Sequence, residues 1–444
     1  MSITPPPGPW RDAHLHLAEH GLELACINLA DCATLDEALQ RIAQRADETP
    51  SETGWLKATG ARAEAWPQRR LPNADELHTA AGGGRGRPVL VVSFDHHMMS
   101  VSRRVLEMAG VTPSTPSEYR SSSAFGGSVG AIEKDPETGE PTGVLIEAAC
   151  DIVRALRPEV TPDERTEAIR AAQDDLIRLK IVEVHDMFAT ADLVSALQRL
   201  DSSGDLALNV VLYAPPAHLG GVIEALRACA PSPRVRLGGL KLFTDGTLNS
   251  RTASMLAPYA DPNPAHPAGT PFYTDDELRG FMRDMRQRDL DIAAHAIGDA
   301  AVRRLLDLWE SFDDASQSTL RIEHAQFIDE DDIDRLCDPA RRMVVSMQPC
   351  HLLTDMEAIE RLTPQRADRA FALRDLLDAC GRLGVDRAQR IVLGSDTPVV
   401  RPDPMDNLQA AAERRRAGME SQRAIAPGQA ISAEECAALM RPSA

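Results

Sequence analysis

Residues 10–17 read WRDAHLHL and place two histidines, His14 and His16, two positions apart at the end of a short extended run. Side chains alternate between the two faces of a β-strand, so both imidazoles point to the same side. Imidazole nitrogens held side by side are typical ligands of a divalent metal ion. The segment therefore predicts a strand that ends in one half of a metal site, with the other ligands supplied by other strands.

The rest of the chain alternates short Val-, Ile- and Leu-rich runs with longer amphipathic stretches, the pattern of repeated βα units. Together with the first strand, these runs predict an α/β protein with a (β/α)8, TIM-type barrel. The predicted strands cover residues 12–17, 181–185, 208–212, 239–243, 291–295, 320–324, 343–348 and 391–394. The predicted helices include residues 34–47, 162–179, 190–200, 275–288, 299–310 and 369–383. Threonines able to cap a first turn stand at Thr34, Thr161, Thr190 and Thr274.

A long segment separates the first two predicted strands. Residues 50–160 contain consecutive glycines at 82–84, the apolar run 88–97 and the turn-rich stretch 135–143. We interpret this segment as a cap inserted over the barrel mouth after the first strand. The prediction is a single barrel domain, residues 1–444, that carries the cap as an insertion.

Polar side chains collect at the predicted C-terminal ends of the strands, where barrels place their functional groups. His295 ends the fifth strand, His324 ends the sixth, and Asp396 follows the eighth. With His14 and His16 they form the ligand set of a catalytic Zn²⁺ or similar divalent ion that leaves a position open for water. Such an ion lowers the pKa of water to about 7. Asp396 would be both a ligand and the general acid/base that takes a proton from the attacking water and returns it to the leaving group.

Lys241 lies on the same rim, at the end of the fourth predicted strand. A protonated ammonium group repels a metal ion, so two interpretations stay open. In one, Lys241 forms a salt bridge with Asp245. In the other, its neutral amine reacts with CO₂ to give a carbamate, an anionic ligand with two oxygen atoms.

Other polar residues near the predicted mouth have more than one interpretation by position alone. We predict that four of them contact substrate: His97, Asp245, Gln348 and His351. For His97 the alternative is an ordinary loop residue, and for Asp245 it is a role in orienting the loop after Lys241. His185 is predicted to brace the first-strand ligands rather than to bind metal. The remaining histidines are interpreted as surface or loop residues, among them His20, His78, His218 and His266.

The composition restricts the partners of the protein. The formal net charge of −19 repels phosphate backbones, so nucleic-acid binding is not expected. No stretch approaches the roughly 20 apolar residues that span a bilayer, so membrane insertion is not expected either. The N-terminal segment lacks the basic and apolar regions of a secretory signal, which predicts a cytoplasmic location. The eight cysteines include no CxxC pair, and we expect no disulfide framework.

The motifs taken together resemble the amidohydrolase superfamily, and within it amidohydrolase family 3, the group of N-substituted formamide deformylase-like metal-dependent hydrolases. The resemblance is spread over nearly the whole chain. It is carried by PGPWRDAHLHL (7–17), KLFTDGTLNSRTA (241–253), HAIGD (295–299), EHAQ (323–326), QPCH (348–351) and GSDTPV (394–399). DHH (95–97) and DPETGEPTGVL (135–145), within the predicted insertion, are similar to the same group.

The resemblance implies a more detailed metal site than the residues alone predict. It implies a carboxylated Lys241 between two metals, with His14 and His16 on one ion and His295 and His324 on the other. One or two Zn²⁺ per subunit are therefore expected. In this family a small β-sandwich usually flanks the barrel, and it is built from segments before the PG motif and at the C-terminal end. We expect it to be truncated or absent here, so the flank of the barrel is either exposed or covered in a homo-oligomer.

The expected function is hydrolysis of a C–N bond, other than a peptide bond, in a small amide-like molecule by metal-activated hydroxide. An N-acyl or N-formyl amine is the first candidate substrate. Two alternatives stay open. One is a metal-dependent hydrolase of an ester, carbamate or cyclic amide, and the other is a catalytically impaired barrel that is used for binding.

Overall fold

The computed structural model describes residues 7–49, 54–63, 66–83, 86–94, 98–120, 129–156, 159–262, 266–312 and 316–443. Contacts within the chain divide it into two compact units. One unit is formed by the chain up to Gly21 together with the chain from Arg165 onward, and the other is Leu22–Glu164.

The strands in chain order are β1 (Trp10–Leu15), β2 (Ile27–Asn28), β3 (Leu56–Ala61), β4 (Val89–Ser93), β5 (Met98–Val101), β6 (Glu118–Arg120), β7 (Val129–Lys134), β8 (Pro141–Ile146), β9 (Ile181–Asp186), β10 (Asn209–Ala214), β11 (Val235–Phe243), β12 (Asp291–Ala296), β13 (Leu320–His324), β14 (Met343–Met347) and β15 (Ile391–Leu393). The α-helices are α1 (Leu17–Leu24), α2 (Leu35–Glu48), α3 (Ala74–Ala80), α4 (Arg103–Ala109), α5 (Asp151–Arg154), α6 (Pro162–Arg178), α7 (Ala191–Ser202), α8 (Pro216–Ala228), α9 (Asp275–Gln287), α10 (Asp299–Glu310), α11 (Ile333–Leu336), α12 (His351–Leu362), α13 (Leu373–Leu383), α14 (Arg387–Arg390), α15 (Pro404–Glu413) and α16 (Ala433–Leu439).

The first unit contains a parallel sheet of eight described strands in the order β1-β9-β10-β11-β12-β13-β14-β15. Its two ends meet through backbone hydrogen bonds. The N–H of Asp396 donates to the carbonyl of His14 at 2.6 Å, and the N–H of His16 donates to the carbonyl of Thr397 at 2.9 Å. The predicted (β/α)8 barrel is therefore confirmed, and each predicted strand overlaps an observed one.

Helices of the first unit pack their apolar faces against the outside of the barrel. On β13, Leu320 and Ile322 belong to this apolar core, whereas the alternating positions Arg321 and Glu323 are buried on the other face, inside the barrel. The predicted helix 369–383 is shorter than expected. It begins at Leu373 because Phe371 adopts a left-handed conformation, with φ of 50°, that interrupts a helix.

The predicted N-caps are present. The hydroxyls of Thr34, Thr190 and Thr274 accept hydrogen bonds from backbone N–H groups three residues ahead, and Thr161 accepts one from the N–H of Glu164.

Across the described residues, no helix combines the length and the apolar character that crossing a bilayer requires.

The second unit is built around a described seven-stranded sheet in the order β2-β3-β4-β5-β8-β7-β6. The pairs from β2 to β4 are parallel, and the remaining pairs are antiparallel. Helix α2 belongs to this unit because its Leu35 and Ile42 share an apolar cluster with Leu56 of β3. The unit therefore starts at Leu22, well before the predicted boundary near residue 50. Its role as a cap stays a prediction.

We predict that Gly239→Ala destabilises the barrel. Gly239 lies in β11, two residues before Lys241, and a Cβ there would lie 1.9 Å from the carbonyl oxygen of Asp291. Because this neighbour is backbone of the adjacent strand, relief requires a shift of the sheet, at a cost of about 1–3 kcal/mol in the free energy of unfolding. Thermal and denaturant unfolding measure the change.

Gly280→Ala is the matched control. Gly280 lies in α9, and no atom lies within 4 Å of the position that a Cβ would occupy there, so we expect a gain of about 0.5–1 kcal/mol from the lower flexibility of alanine. Equal unfolding midpoints for the two variants would contradict the packing argument.

Candidate metal centre

The six predicted metal ligands meet at the C-terminal end of the barrel strands. His14 lies on β1, Lys241 on β11, His295 on β12 and His324 on β13, while Asp396 follows β15, and His16 follows β1; all but His16 are buried. The ring centroid of His324 lies 4.8 Å from that of His14 and 4.4 Å from that of His295. The structure therefore gathers the residues that the sequence places on separate strands.

Asp396 lies at the middle of this group. Its Oδ1 is 3.4 Å from Nε2 of His14 and 3.1 Å from Nε2 of His16. The possible ligand atoms of these three residues lie within 4.8 Å of one another, as do those of His324, His351 and Asp396. Imidazoles around a carboxylate at such spacing are a donor set that fits a divalent cation.

The backbone beside these ligands is fixed by the carboxylate of Asp12. Its Oδ1 accepts hydrogen bonds from the N–H groups of His14 at 3.1 Å and of Ser395 at 3.0 Å, and its Oδ2 accepts one from the Ser395 hydroxyl at 2.6 Å. His324 and Asp396 both have left-handed backbones, with φ of 69° and 66°. Such conformations are costly for residues other than glycine and cluster at functional sites, where the surrounding structure holds them.

Three of the four histidines predicted as ligands have a lowered pKa, whereas for His16 the effect of burial is outweighed by the hydrogen bond and charge of Asp396, which raise its pKa. Burial, assisted by the charge of Lys241, lowers the pKa of His14 to about 4 and that of His295 to about 3. Burial and the neighbouring histidines lower the pKa of His324 well below its usual value. Burial alone would raise the pKa of Asp396, but His14 and His16 hold it well below its usual range, so the carboxylate is charged. Neutral imidazoles and a charged carboxylate are the forms that bind a cation.

Hydrogen bonds select which imidazole nitrogen carries the proton. Nδ1–H of His14 donates to Oε2 of Glu323 at 2.7 Å, and Nε2–H of His295 donates to the carbonyl of Gly246 at 3.0 Å. The lone pairs therefore remain on Nε2 of His14 and on Nδ1 of His295.

Lys241 is 0% exposed, and its Nζ has no hydrogen-bond partner among the residues that the structure describes. Burial lowers the pKa of this amine to about 8, against the opposing effect of Glu323. Among the described residues, Lys241 does not form the salt bridge with Asp245 that was the other interpretation of its position. The carboxylate of Asp245 instead accepts hydrogen bonds from the N–H groups of Ser254, Ile297 and Gly298. A buried amine without a hydrogen-bond partner, next to imidazole side chains, is consistent with a site in which a bound group supplies the missing contacts.

The four residues predicted to contact substrate lie in different surroundings. Nε2–H of His351 donates to the carbonyl of Ser395 at 3.1 Å and lies 3.8 Å from Oδ2 of Asp396. Gln348 is 1% exposed, and its Oε1 has no partner within the described ranges. The contacts of Asp245 correspond to the other role predicted for it, orientation of the loop after β11. His97 lies outside the described residues.

The sequence missed two side chains that surround the ligands. Glu323 and Arg321 share the inner face of β13, and their spacing of two positions on a buried strand was the available signal. His185 contacts Arg321 rather than the first-strand ligands, since its Nδ1 accepts from Nη1 at 2.8 Å.

The prediction of His20 as a surface or loop residue is wrong. His20 is buried between Thr397 and Asp175, which its two ring nitrogens contact at 3.0 Å.

Comparison with known proteins agrees with this geometry. Residues 10–444 match the sequence model of the amidohydrolase family. The chain belongs to the amidohydrolase family. Among its relatives, the protein YtcJ of Bacillus subtilis (strain 168) is 28% identical over 416 residues, which cover 91% of this chain and 72% of that protein. The N-substituted formamide deformylase of Arthrobacter pascens is 24% identical over 443 residues, which cover 96% of this chain and 76% of that protein.

A crystal structure with the same fold is that of an uncharacterized metal-dependent hydrolase from Pyrococcus horikoshii OT3. It superimposes with a TM-score of 0.73 at 24% identity, over 96% of this chain and 78% of the other. The expected amidohydrolase resemblance and barrel fold are therefore confirmed. Membership of the family and the His and Asp groups at the mouth together support a divalent metal.

We predict that Ser395→Ala loosens the segment that carries Asp396. The substitution removes the 2.6 Å hydrogen bond to Asp12 and the acceptor for the N–H of Thr397. Because one partner is a buried carboxylate, we expect the free energy of unfolding to fall by about 1.5–3 kcal/mol. Ser311→Ala, which removes a hydroxyl bonded among the described residues only to the carbonyl of Leu308, serves as the control and should cost about 1 kcal/mol or less. A smaller effect at Ser395 than at Ser311 would contradict the prediction.

Proposed function

We propose that this protein hydrolyses the C–N bond of a small amide-type molecule, with an N-formyl or N-acyl amine as the substrate class. The observation that carries the proposal is the group of imidazoles around the carboxylate of Asp396 at the barrel mouth, whose possible ligand atoms lie within 4.8 Å of one another in each of two sets of three residues. The named activity of the Arthrobacter relative supports the choice of bond.

The ligands that we propose for one or two Zn²⁺ ions are His14, His16, Lys241, His295, His324 and Asp396. When bound, a divalent cation of this kind lowers the pKa of water to about 7 and polarises a carbonyl group. Lys241 would take part as its carbamate, since the buried amine has a lowered pKa and no hydrogen-bond partner among the described residues. The carbamate converts a repelling cation into an anionic ligand.

We propose Asp396 as the group that moves the proton in hydrolysis. Its carboxylate accepts a proton as water attacks the carbonyl carbon and delivers it to the nitrogen of the departing amine. His351, 3.8 Å from the second carboxylate oxygen, and Gln348, with an unused amide oxygen, are the side chains that we propose to orient the substrate amide. His351 thus lies beside Asp396, and Gln348 directly follows β14, the strand that pairs with β15.

Metal dependence tests the proposal directly. We expect the purified chain from metal-replete expression to hold at least one divalent ion per subunit and to hydrolyse N-formyl or N-acyl amines. Activity should be lost after dialysis against a chelator and restored by Zn²⁺. Cleavage of esters, carbamates or cyclic amides alone would replace the proposed substrate class. A chain without stoichiometric metal and with Lys241 unmodified, as judged by ¹³C-bicarbonate labelling, would contradict the enzyme proposal itself.

We predict that Asp396→Asn separates catalysis from folding. The amide keeps the volume and one oxygen ligand but cannot accept the proton, so kcat should fall by about 10²–10⁴-fold. The thermal unfolding midpoint and part of the bound metal should remain, as measured by calorimetry and elemental analysis. Activity within tenfold of the unsubstituted chain would show that another group is the base.

A further inference from the structure

A buried ion pair next to the metal centre has no part in the proposed chemistry. Arg321 and Glu323 lie two positions apart on β13 and face the barrel interior, where Glu323 is 0% exposed. Nε–H of Arg321 donates to Oε1 of Glu323 at 2.9 Å. The second oxygen, Oε2, is the atom that accepts Nδ1–H of His14 at 2.7 Å. One carboxylate therefore links an arginine on one side to a metal ligand on the other.

Arg321 is itself held from several strands. Its Nη1–H donates to Nδ1 of His185 on β9 at 2.8 Å, and its Nη2–H donates to the carbonyl of Ala13 on β1 at 3.0 Å. The face of the guanidinium lies 5.0 Å from the ring centroid of Tyr213 on β10. A planar group with these contacts cannot rotate without breaking several of them, so Oε1 of Glu323 has a fixed partner.

We propose that Arg321 and Glu323 are positioning residues that fix the tautomer of His14. A neutral imidazole carries one proton, and only the nitrogen without it can bind a cation. The carboxylate of Glu323, paired with Arg321, accepts the hydrogen bond from Nδ1–H of His14. This contact keeps the proton on Nδ1 and leaves the lone pair on Nε2, which lies 3.4 Å from Oδ1 of Asp396. The inference rests on the proposed function only in requiring that the site binds a divalent cation.

Glu323→Gln distinguishes an ion pair that fixes the tautomer of His14 from one that only fills space. Arg321 has only donors, so the glutamine oxygen turns to Nε and the amide NH₂ faces Nδ1 of His14. The imidazole must then move its proton to Nε2, the wrong nitrogen for the cation. We expect the affinity of the apoprotein for Zn²⁺ to fall by about 100-fold.

Glu323→Ala imposes neither tautomer and should weaken Zn²⁺ binding by only about tenfold, although it leaves a cavity and lowers stability more. If the pair only filled space, the order would be reversed, because glutamine preserves the packing and alanine does not. The measurements are a competition titration with Zn²⁺ and a chromophoric chelator, and thermal unfolding of each apoprotein.

The double variant Arg321→Met/Glu323→Gln supplies a rescue. Without Arg321 the glutamine can turn its oxygen toward His14, so Zn²⁺ affinity should recover about tenfold relative to Glu323→Gln, even though stability falls further. A control outside the barrel is Asp332→Asn, which neutralises a buried carboxylate held by Arg303 at 2.9 Å and Arg335 at 2.7 Å. Its Zn²⁺ affinity should be unchanged.

Two outcomes would overturn the inference alone: Zn²⁺ affinity of Glu323→Gln equal to or above that of Glu323→Ala, or no recovery in the double variant. Failure of the unsubstituted chain to bind Zn²⁺ at all would instead contradict the proposed function, and the inference with it. The order of affinities that we expect, with rescue in a less stable protein, cannot result from unfolding.

Discussion

The carboxylate of Asp12 joins the first strand of the barrel to the last, and the metal centre depends on that junction. Its two oxygens accept three hydrogen bonds, two of them from Ser395, the residue before Asp396. Gly394 allows the approach, because a Cβ there would lie 2.4 Å from the backbone nitrogen of His14. Burial raises the pKa of Asp12 to about 6, which shows what it costs to keep this charge inside the protein. The junction brings together the predicted ligands on β1 and after β15, the first and last strands in the order of the sheet.

The interior of the barrel next to the metal centre contains more charged side chains than stability of the fold alone would favour. Interiors of this fold are dominated by branched apolar side chains, yet here β13 alone contributes both Arg321 and Glu323. Buried ion pairs seldom stabilise a fold relative to well-packed apolar residues, so their presence indicates a requirement other than stability. The same interior lowers the pKa of His14, of His295 and of Lys241. A single environment therefore sets both the shape and the protonation of the site.

The sequence predicted the barrel, and it indicated which polar side chains the strand ends bring together, because both depend on local pattern. Buried parallel strands are short apolar runs, and their C-terminal ends mark where His295, His324 and Asp396 must meet. Strands of the second unit were not predicted one by one, since β2 and β6 are too short for a periodic signal. The link from Glu323 to His14 joins residues far apart in the chain, and no local pattern encodes it. His20 was misassigned for the same reason, because its partners lie on α6 and beyond β15.

The second unit also affects the order in which the barrel can form during synthesis. β1 pairs with β9, and all of Leu22–Glu164 must leave the ribosome before that partner appears. At roughly 5–20 residues per second, the first strand waits many seconds with its backbone unpaired. The second unit has apolar clusters of its own and can fold in that interval. The junction at Asp12 needs Ser395 as well, so closure of the barrel and completion of the metal centre are the same late event of folding.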